Sequence, residues 1–323
     1  MFSQDNKATD KTVHLSVPPE MHRQRCDTII ARLCPAYSRS QLQKWIRSGD
    51  VTVNGKTVKP KVQLFENDRI VIQPVETEQT TDEPENIPLD IVFEDAHILV
   101  VNKPVGLVVH PAVGHRTGTL VNGLLYHEPA QQHLPRAGIV HRLDKDTSGL
   151  MVVAKTLQAH RSLVEQLQQR SVKREYLALV QGEVISGGTI EGNIGRHPVD
   201  RKRMAVVDGG KPAVTHYRIE QRFIGYTLLR VQLETGRTHQ IRVHMSWQHK
   251  PIVGDHVYGG RPRLSAGLPE ALRDKLLHFP RQALHATQLA LEHPETGEWL
   301  QWQRAMPEDM QELVSALENS HEQ

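Results

Sequence analysis

Residues 140–150 read Val-His-Arg-Leu-Asp-Lys-Asp-Thr-Ser-Gly-Leu. One carboxylate, Asp144, stands between Arg142 and Lys145, and the turn-forming trio Thr147, Ser148 and Gly149 follows. Apolar residues then run from Leu150 to Ala154, the pattern of a buried strand. A carboxylate flanked by cations where a loop enters a strand has two explanations. It is kept ionised and presented to a ligand, or it belongs to a surface ion-pair cluster. The run alone does not separate them.

The rest of the chain sets the frame. Its 323 residues suffice for two domains with their own cores. No stretch approaches the roughly 20 apolar residues of a membrane span. Met1 to Lys11 is polar and lacks the apolar segment of a signal peptide. The two cysteines, Cys26 and Cys34, make neither a disulfide framework nor a zinc site, so a cytoplasmic location is expected. The net charge of +2 is uneven along the chain. Residues 76–88 hold five carboxylates, no lysine or arginine and two prolines, which predicts an acidic linker. Residues 18–75 hold ten Lys/Arg against five Asp/Glu, the balance of a small polyanion-binding domain. Residues 1–17 are expected to be a polar tail.

Within residues 18–75, Cys26, Ile29, Ile30 and Leu33 fall at helical spacing. A second helix, capped by Ser38 or Ser40, buries Leu42, Trp45 and Ile46. Its other side carries Arg39, Gln43 and Arg47, with Lys44 beside them; this is a solvated face or an RNA-contact stripe. Val51 to Val58 reads as a hairpin with an Asn-Gly turn, and Arg69 to Ile72 as a further strand.

Beyond the linker, residues 89–323 give strand and helix signals without a repeated βαβ period. Strands are expected at Ile98–Val101, Tyr176–Val180, Thr215–Ile219 and Tyr226–Leu233. Helices are expected at Leu157–Arg170 and at Thr235–Trp247, the second capped by Thr235. The fold class is therefore α+β, with a mixed, largely antiparallel sheet. Gly187 to Lys211, with six glycines and the run Arg201-Lys202-Arg203, reads as a basic loop suited to phosphate contact.

Chemistry concentrates at Asp144, at Lys173-Arg174-Glu175-Tyr176, and at residues 234–244, Glu-Thr-Gly-Arg-Thr-His-Gln-Ile-Arg-Val-His. His239 and His244 are five apart, not the four that aligns two metal ligands on a helix, so no metal site is expected. A cation-rich helix start suits an anion, either a phosphate or a buried carboxylate.

These motifs, in this order, resemble the RluA family of pseudouridine synthases over about residues 89–305. Residues 18–75, with Ser-Arg-Ser and then Ile-Arg-Ser-Gly-Asp-Val-Thr-Val-Asn-Gly, resemble the S4 RNA-binding domain. The resemblance implies a synthase that needs no metal or cofactor. Asp144 would be the catalytic carboxylate, Arg242 its partner, and Tyr176 the residue that stacks on the base. Arg142 would fill the space left by the flipped nucleotide. Leu143 and Ile241 would pack behind the site. Arg39, Lys44, Arg47, Arg201, Lys202, Arg203 and Arg237 would contact RNA. The implied partner is 23S rRNA or the large ribosomal subunit, bound by a monomer. The S4 domain, the Lys-Asp-Thr-Ser-Gly run and Gly192 to Pro198 are most similar to members acting on the helix 69 loop. Alternatives are other 23S rRNA uridines, or a non-catalytic assembly factor on the same fold.

Overall fold

The computed structural model describes residues 12–34, 37, 39–74, 82–111, 116–260, 262, 264–265 and 267–321. The chain falls into two compact units, Met1–Thr81 and Asp82–Gln323.

The smaller unit runs β1 (Val13–Ser16), α1 (Cys26–Leu33), α2 (Arg39–Ser48), β2 (Val51–Val53), β3 (Lys56–Thr57) and β4 (Arg69–Ile72). The strands form one antiparallel sheet in the order β1-β4-β2-β3. Ile29, Ile30, Leu42, Trp45, Ile46, Ile70 and Ile72 close its core. Asn54 and Gly55 both take positive φ, 50° and 74°, as a two-residue hairpin turn requires. Cys26 and Cys34 are buried in this core, and burial, with the nearby Asp27 charge, pushes the Cys26 thiol up to about 12. Residues 13–16 depart from the expected polar tail. Val13 and Leu15 alternate with His14 and Ser16, and the strand covers the edge of β4 in the register Val13↔Ile72 to Ser16↔Arg69. On α2, Lys44 and Arg47 are exposed, while Gln43 donates to the buried Asp27 carboxylate at 2.9 Å. The Arg39 side chain, and Ser38 with its capping role, lie outside the described residues.

The larger unit begins with β5 (Ile91–Glu94), β6 (Ile98–Lys103), α3 (Leu120–His127), β7 (Ser148–Ala154), α4 (Leu157–Gln168) and β8 (Lys173–Gln181). It continues through β9 (Gly188–Glu191), β10 (Ile194–Arg196), β11 (Met204–Val206), β12 (Val214–Phe223), β13 (Tyr226–Leu233) and α5 (Gln240–Trp247). It ends with α6 (Glu270–Leu277), β14 (Leu284–Glu292), β15 (Trp299–Gln303) and α7 (Glu308–His321). The nine-stranded sheet has the order β5-β6-β7-β14-β8-β13-β12-β9, with β15 also paired to β14. Every pairing is antiparallel except that of β7 with β14. The unbroken apolar run of β7 has a direct cause. Met151 and Val153 enter one core, while Leu150, Val152 and Ala154 enter a second core shared with α4.

The Thr-Ser-Gly trio sits at that single parallel pairing. Gly149 lies opposite Ala286 with φ 115°, and a Cβ there would come within 2.2 Å of the Ala286 carbonyl oxygen. Gly149→Ala therefore meets both backbone strain and a backbone clash. We expect a loss of at least about 2 kcal/mol in urea-melt stability. An unchanged midpoint would overturn this account of the glycine.

Two further expectations are corrected. The predicted linker includes residues 82–88, which lie on the larger unit. The Glu85 carboxylate accepts the Gly118 N–H at 2.9 Å, Asn122 Nδ2 donates to the Glu83 carbonyl at 2.8 Å, and Ile87 packs against Gly123. Acidic composition argues against a core, but the Glu85 carboxylate is satisfied by a single backbone N–H, that of Gly118, just before α3. The other linker residues, 76–81, lie outside the described residues. Gly187 to Lys211, expected to be loop, carries β9 at the sheet edge and the β10–β11 hairpin; strands of three or four residues leave little periodic signal.

Candidate active site

One cavity of about 590 Å³ opens in the larger unit between the 139–147 loop, β8 and the 234–239 loop that leads into α5. Asp144, Tyr176 and Arg242 line it, as do Arg142, Arg174, Arg237 and His239. Asp144 and Arg242, 98 positions apart in sequence, thus meet at one point.

The loop carrying Asp144 is fixed from behind. The Thr147 N–H donates to the Asp144 carbonyl, closing the turn at 3.1 Å. Lys103, at the end of β6 and 1% exposed, donates from Nζ to the carbonyls of Pro104, Leu107 and Lys145 at 2.7, 3.0 and 2.9 Å. Burial pushes its pKa down to about 7 although Asp146 and Asp144 act in the opposite sense.

Arg242 projects from α5 between two carboxylates. Its Nη1 donates to Asp144 Oδ2 at 2.9 Å, and its Nε and Nη2 donate to Asp255 at 2.7 and 2.9 Å. Asp255 is fully buried and also accepts the N–H groups of Val257 and Tyr258. Burial opposes the charge on Arg242, but Asp255 and Asp144 outweigh it and raise the guanidinium above its usual range. Burial likewise opposes the Asp255 charge, and the Arg242 contacts outweigh it and hold the carboxyl low. The bidentate grip on Asp255 leaves Arg242 one nitrogen aimed at the cavity, and that nitrogen orients Asp144.

The other oxygen of Asp144, Oδ1, faces His239 Nε2 at 3.7 Å. Tyr258 accepts the Met204 N–H on its hydroxyl oxygen at 2.9 Å and lies 2.7 Å from His239 Nδ1. The Tyr258 hydroxyl thus ties His239 Nδ1 to the Met204 backbone and fixes the ring with Nε2 turned toward Asp144. Burial lowers the His239 pKa despite Asp144, so the imidazole is neutral. His239 has φ 56° and is the residue before the first turn of α5. The helix therefore starts at Gln240 and not at Thr235. Thr235 donates to Gln240 Oε1 at 2.8 Å and accepts the Val214 N–H at 3.0 Å, clipping the loop to β12 without capping the helix.

Tyr176 lies on β8 with its ring on the cavity wall and 5% exposure. Burial raises its phenol pKa, opposed by Arg174 and reinforced by Asp144. Leu143 and Ile241 pack into the main core behind the site.

The expected RNA contacts divide by place. Arg142 is exposed at the cavity, and Arg237 lines it with Nε bonded to the Pro212 carbonyl at 3.1 Å. Arg201 and Lys202 are exposed on the turn between β10 and β11. Arg203 is only half-exposed and stacks on the Tyr258 ring at 5.2 Å, on which Arg242 also stacks at 5.0 Å. It therefore braces the site wall. Lys44 and Arg47 belong to the other unit. Asp255, Tyr258 and Lys103 are site residues that sequence reasoning missed. Asp255 and Tyr258 sit among small and turn-forming residues, Val-Gly-Asp-His-Val-Tyr-Gly-Gly, which give no amphipathic pattern.

Comparison with known proteins gives consistent findings. The RNA pseudouridylate synthase family model matches residues 97–247, and the S4 domain model matches residues 24–70. Ribosomal large subunit pseudouridine synthase D of Pseudomonas aeruginosa is 54% identical over 306 residues, covering 95% of this chain and 96% of that protein. The protein of the same name from Escherichia coli strain K12 is 51% identical over 301 residues, covering 93% and 92%. Among solved structures, Human RNA Pseudouridylate Synthase Domain Containing 4 superposes with a TM-score of 0.56 at 27% identity, covering 71% of this chain and 92% of that one. Human RNA Pseudouridylate Synthase Domain Containing 1 gives 0.51 at 26% identity, covering 75% and 98%.

Proposed function

Because this chain belongs to the RNA pseudouridylate synthase family, we propose that it isomerises uridines of 23S rRNA in the helix 69 loop, as a cytoplasmic monomer. The observation that carries the reading is Asp144, held by Arg242 on the wall of a cavity of about 590 Å³. The match over more than nine-tenths of both chains to proteins named for the large ribosomal subunit supports large-subunit rRNA as the substrate.

In this reading the target uridine leaves the RNA stack, Arg142 occupies its place, and Tyr176 stacks on the base. Asp144 then assists breakage of the N1–C1′ bond, either by adding to C1′ or by taking the proton from C2′. The base turns and C5 bonds to C1′ as Asp144 leaves C1′ or returns the proton to C2′, and the C5 proton is exchanged for one on N1. Arg242 keeps Asp144 ionised and aimed throughout. The reaction is a rearrangement with no redox change, so the residues need only orient, carry charge and move protons. Mapping pseudouridine in 23S rRNA from a deletion strain, with and without this chain restored, tests the proposal. Loss confined to uridines outside helix 69 would reassign the target.

The basic unit is a second RNA contact on the same chain. Removing residues 1–81 preserves the contacts of Glu83, Glu85 and Ile87 with α3. We expect a folded protein with weaker affinity for long rRNA and a flatter dependence of log K on log salt. Its single-turnover rate at saturating RNA should stay within about twofold, because the cavity lies wholly in the other unit. An unchanged salt slope would make Lys44 and Arg47 an ordinary solvated face. A lost chemical step would give the small unit a part in building the site.

A further inference from the structure

Arg174 is 7% exposed and lines the cavity, yet its Nε is buried without a hydrogen-bond partner. Its chain neighbour Glu175 turns to Arg218 and Arg230, at 3.8 and 3.5 Å. Among the described residues no carboxylate pairs with Arg174. Such an arrangement is costly, because buried guanidinium groups are ordinarily paired. The neighbouring site shows the opposite arrangement, with one guanidinium, Arg242, between two carboxylates. Room for Arg174 is kept by Gly236, where a Cβ would come within 2.8 Å of its Nη1.

The position limits what Arg174 can meet. It stands two residues before Tyr176 on β8, and alternate strand residues share a face. A base stacked on Tyr176 would bring its edge toward Arg174. The more exposed arginines, Arg136 and Arg142, occupy the same cavity where a hydrated phosphate backbone would pass. A buried, unpaired cation on the cavity wall is poorly matched to a neutral uracil and well matched to an anionic one.

We propose that Arg174 is a catalytic residue that stabilises the departing uracil anion through its carbonyl oxygens. This rests on the synthase reading above. When the N1–C1′ bond breaks, its electron pair stays on N1, and the charge spreads to O2 and O4. Asp144 meets the electron deficit on the ribose, by bonding to C1′ or by removing the C2′ proton. The anion then closes C5 onto C1′ as the Asp144–C1′ bond breaks, or as Asp144 returns its proton to C2′; the C5 proton is lost and N1 takes up a proton. Arg174 has its strongest partner only while the base is detached, which lowers the barrier without tightening ground-state binding.

The test uses the full chain, a 23S rRNA fragment carrying helix 69, single-turnover rates, equilibrium binding at two salt concentrations, and thermal unfolding. Arg174→Met should slow pseudouridine formation at saturating RNA by about 100-fold or more. RNA affinity should stay within about threefold, with an unchanged salt slope. Its melting temperature should match or exceed wild type, because no buried partner is left unpaired. Arg174→Lys should recover at least about tenfold of the rate, since it restores the charge; it also decides the matter if the Met variant fails to fold. Weakened binding with a flatter salt slope and a normal saturated rate would overturn the proposal in favour of a phosphate anchor. A lowered melting temperature with a normal rate per folded molecule would make Arg174 a structural residue. A wild-type chain that modifies no uridine would instead defeat the functional reading itself.

Discussion

Asp144→Asn is expected to abolish pseudouridine formation while leaving RNA affinity within about threefold of wild type, because phosphate contacts dominate binding. The substitution keeps the shape of the side chain and removes the charge that both forms of the chemistry need. Oδ2 is already committed to Arg242, and Oδ1 is the oxygen turned to the cavity and His239. An amide at this position can neither add to C1′ nor accept a proton from C2′. The measurement is single-turnover conversion by a variant purified from a strain lacking the chromosomal copy, so that trace wild-type enzyme is excluded. Measurable turnover by the pure variant would sink the assignment.

Arg242→Met is expected to lose both rate and stability. Wild-type Arg242 neutralises Asp255, whose side chain is fully buried, as well as orienting Asp144. Its removal leaves Asp255 with only the N–H groups of Val257 and Tyr258. Losing one partner of a buried pair costs about 3–5 kcal/mol. Denaturant melts should show that loss beside an inactive folded fraction. Arg242→Lys should rescue little, since an ammonium cannot grip Asp255 through two nitrogens and reach Asp144 with a third. Wild-type stability in the Met variant would mean that the Asp255 pair contributes nothing to folding.

What was legible in the sequence follows from how local each signal is. The β7 strand and the Thr-Ser-Gly turn before it lie within a few residues of Asp144, so one window displays both. Helix α1 was likewise readable from Cys26, Ile29, Ile30 and Leu33, which bury one face. The pairing of Asp144 with Arg242 came from the family motifs, and the geometry places the two at 2.9 Å. Asp255 had no such route. Its meaning depends on Arg242 thirteen positions earlier and on backbone N–H groups that exist only once the chain has turned. The same holds for Glu85, whose partner Gly118 is 33 positions away and whose neighbours read only as acidic. The start of α5 was misplaced because Thr235 is a good cap by type, whereas the chain enters the helix through His239 in a left-handed conformation. Arg174 was visible as part of a motif, but its lack of a partner is a property of the folded interior alone.

Both thiols of this chain lie inside the small unit, shielded by its core, and that of Cys26 stays protonated far above neutral pH. A shielded thiol of this kind reacts slowly with maleimides, because the thiolate is the reactive form. The natural sequence is thus already a suitable background for site-directed fluorescence. One new cysteine on the exposed face of each unit would accept a donor and an acceptor dye without replacement of the native residues. Energy transfer between them would follow the separation of the two units as rRNA arrives and leaves. Slow, RNA-independent labelling at Cys26 or Cys34 would serve as an internal clock for opening of the small unit.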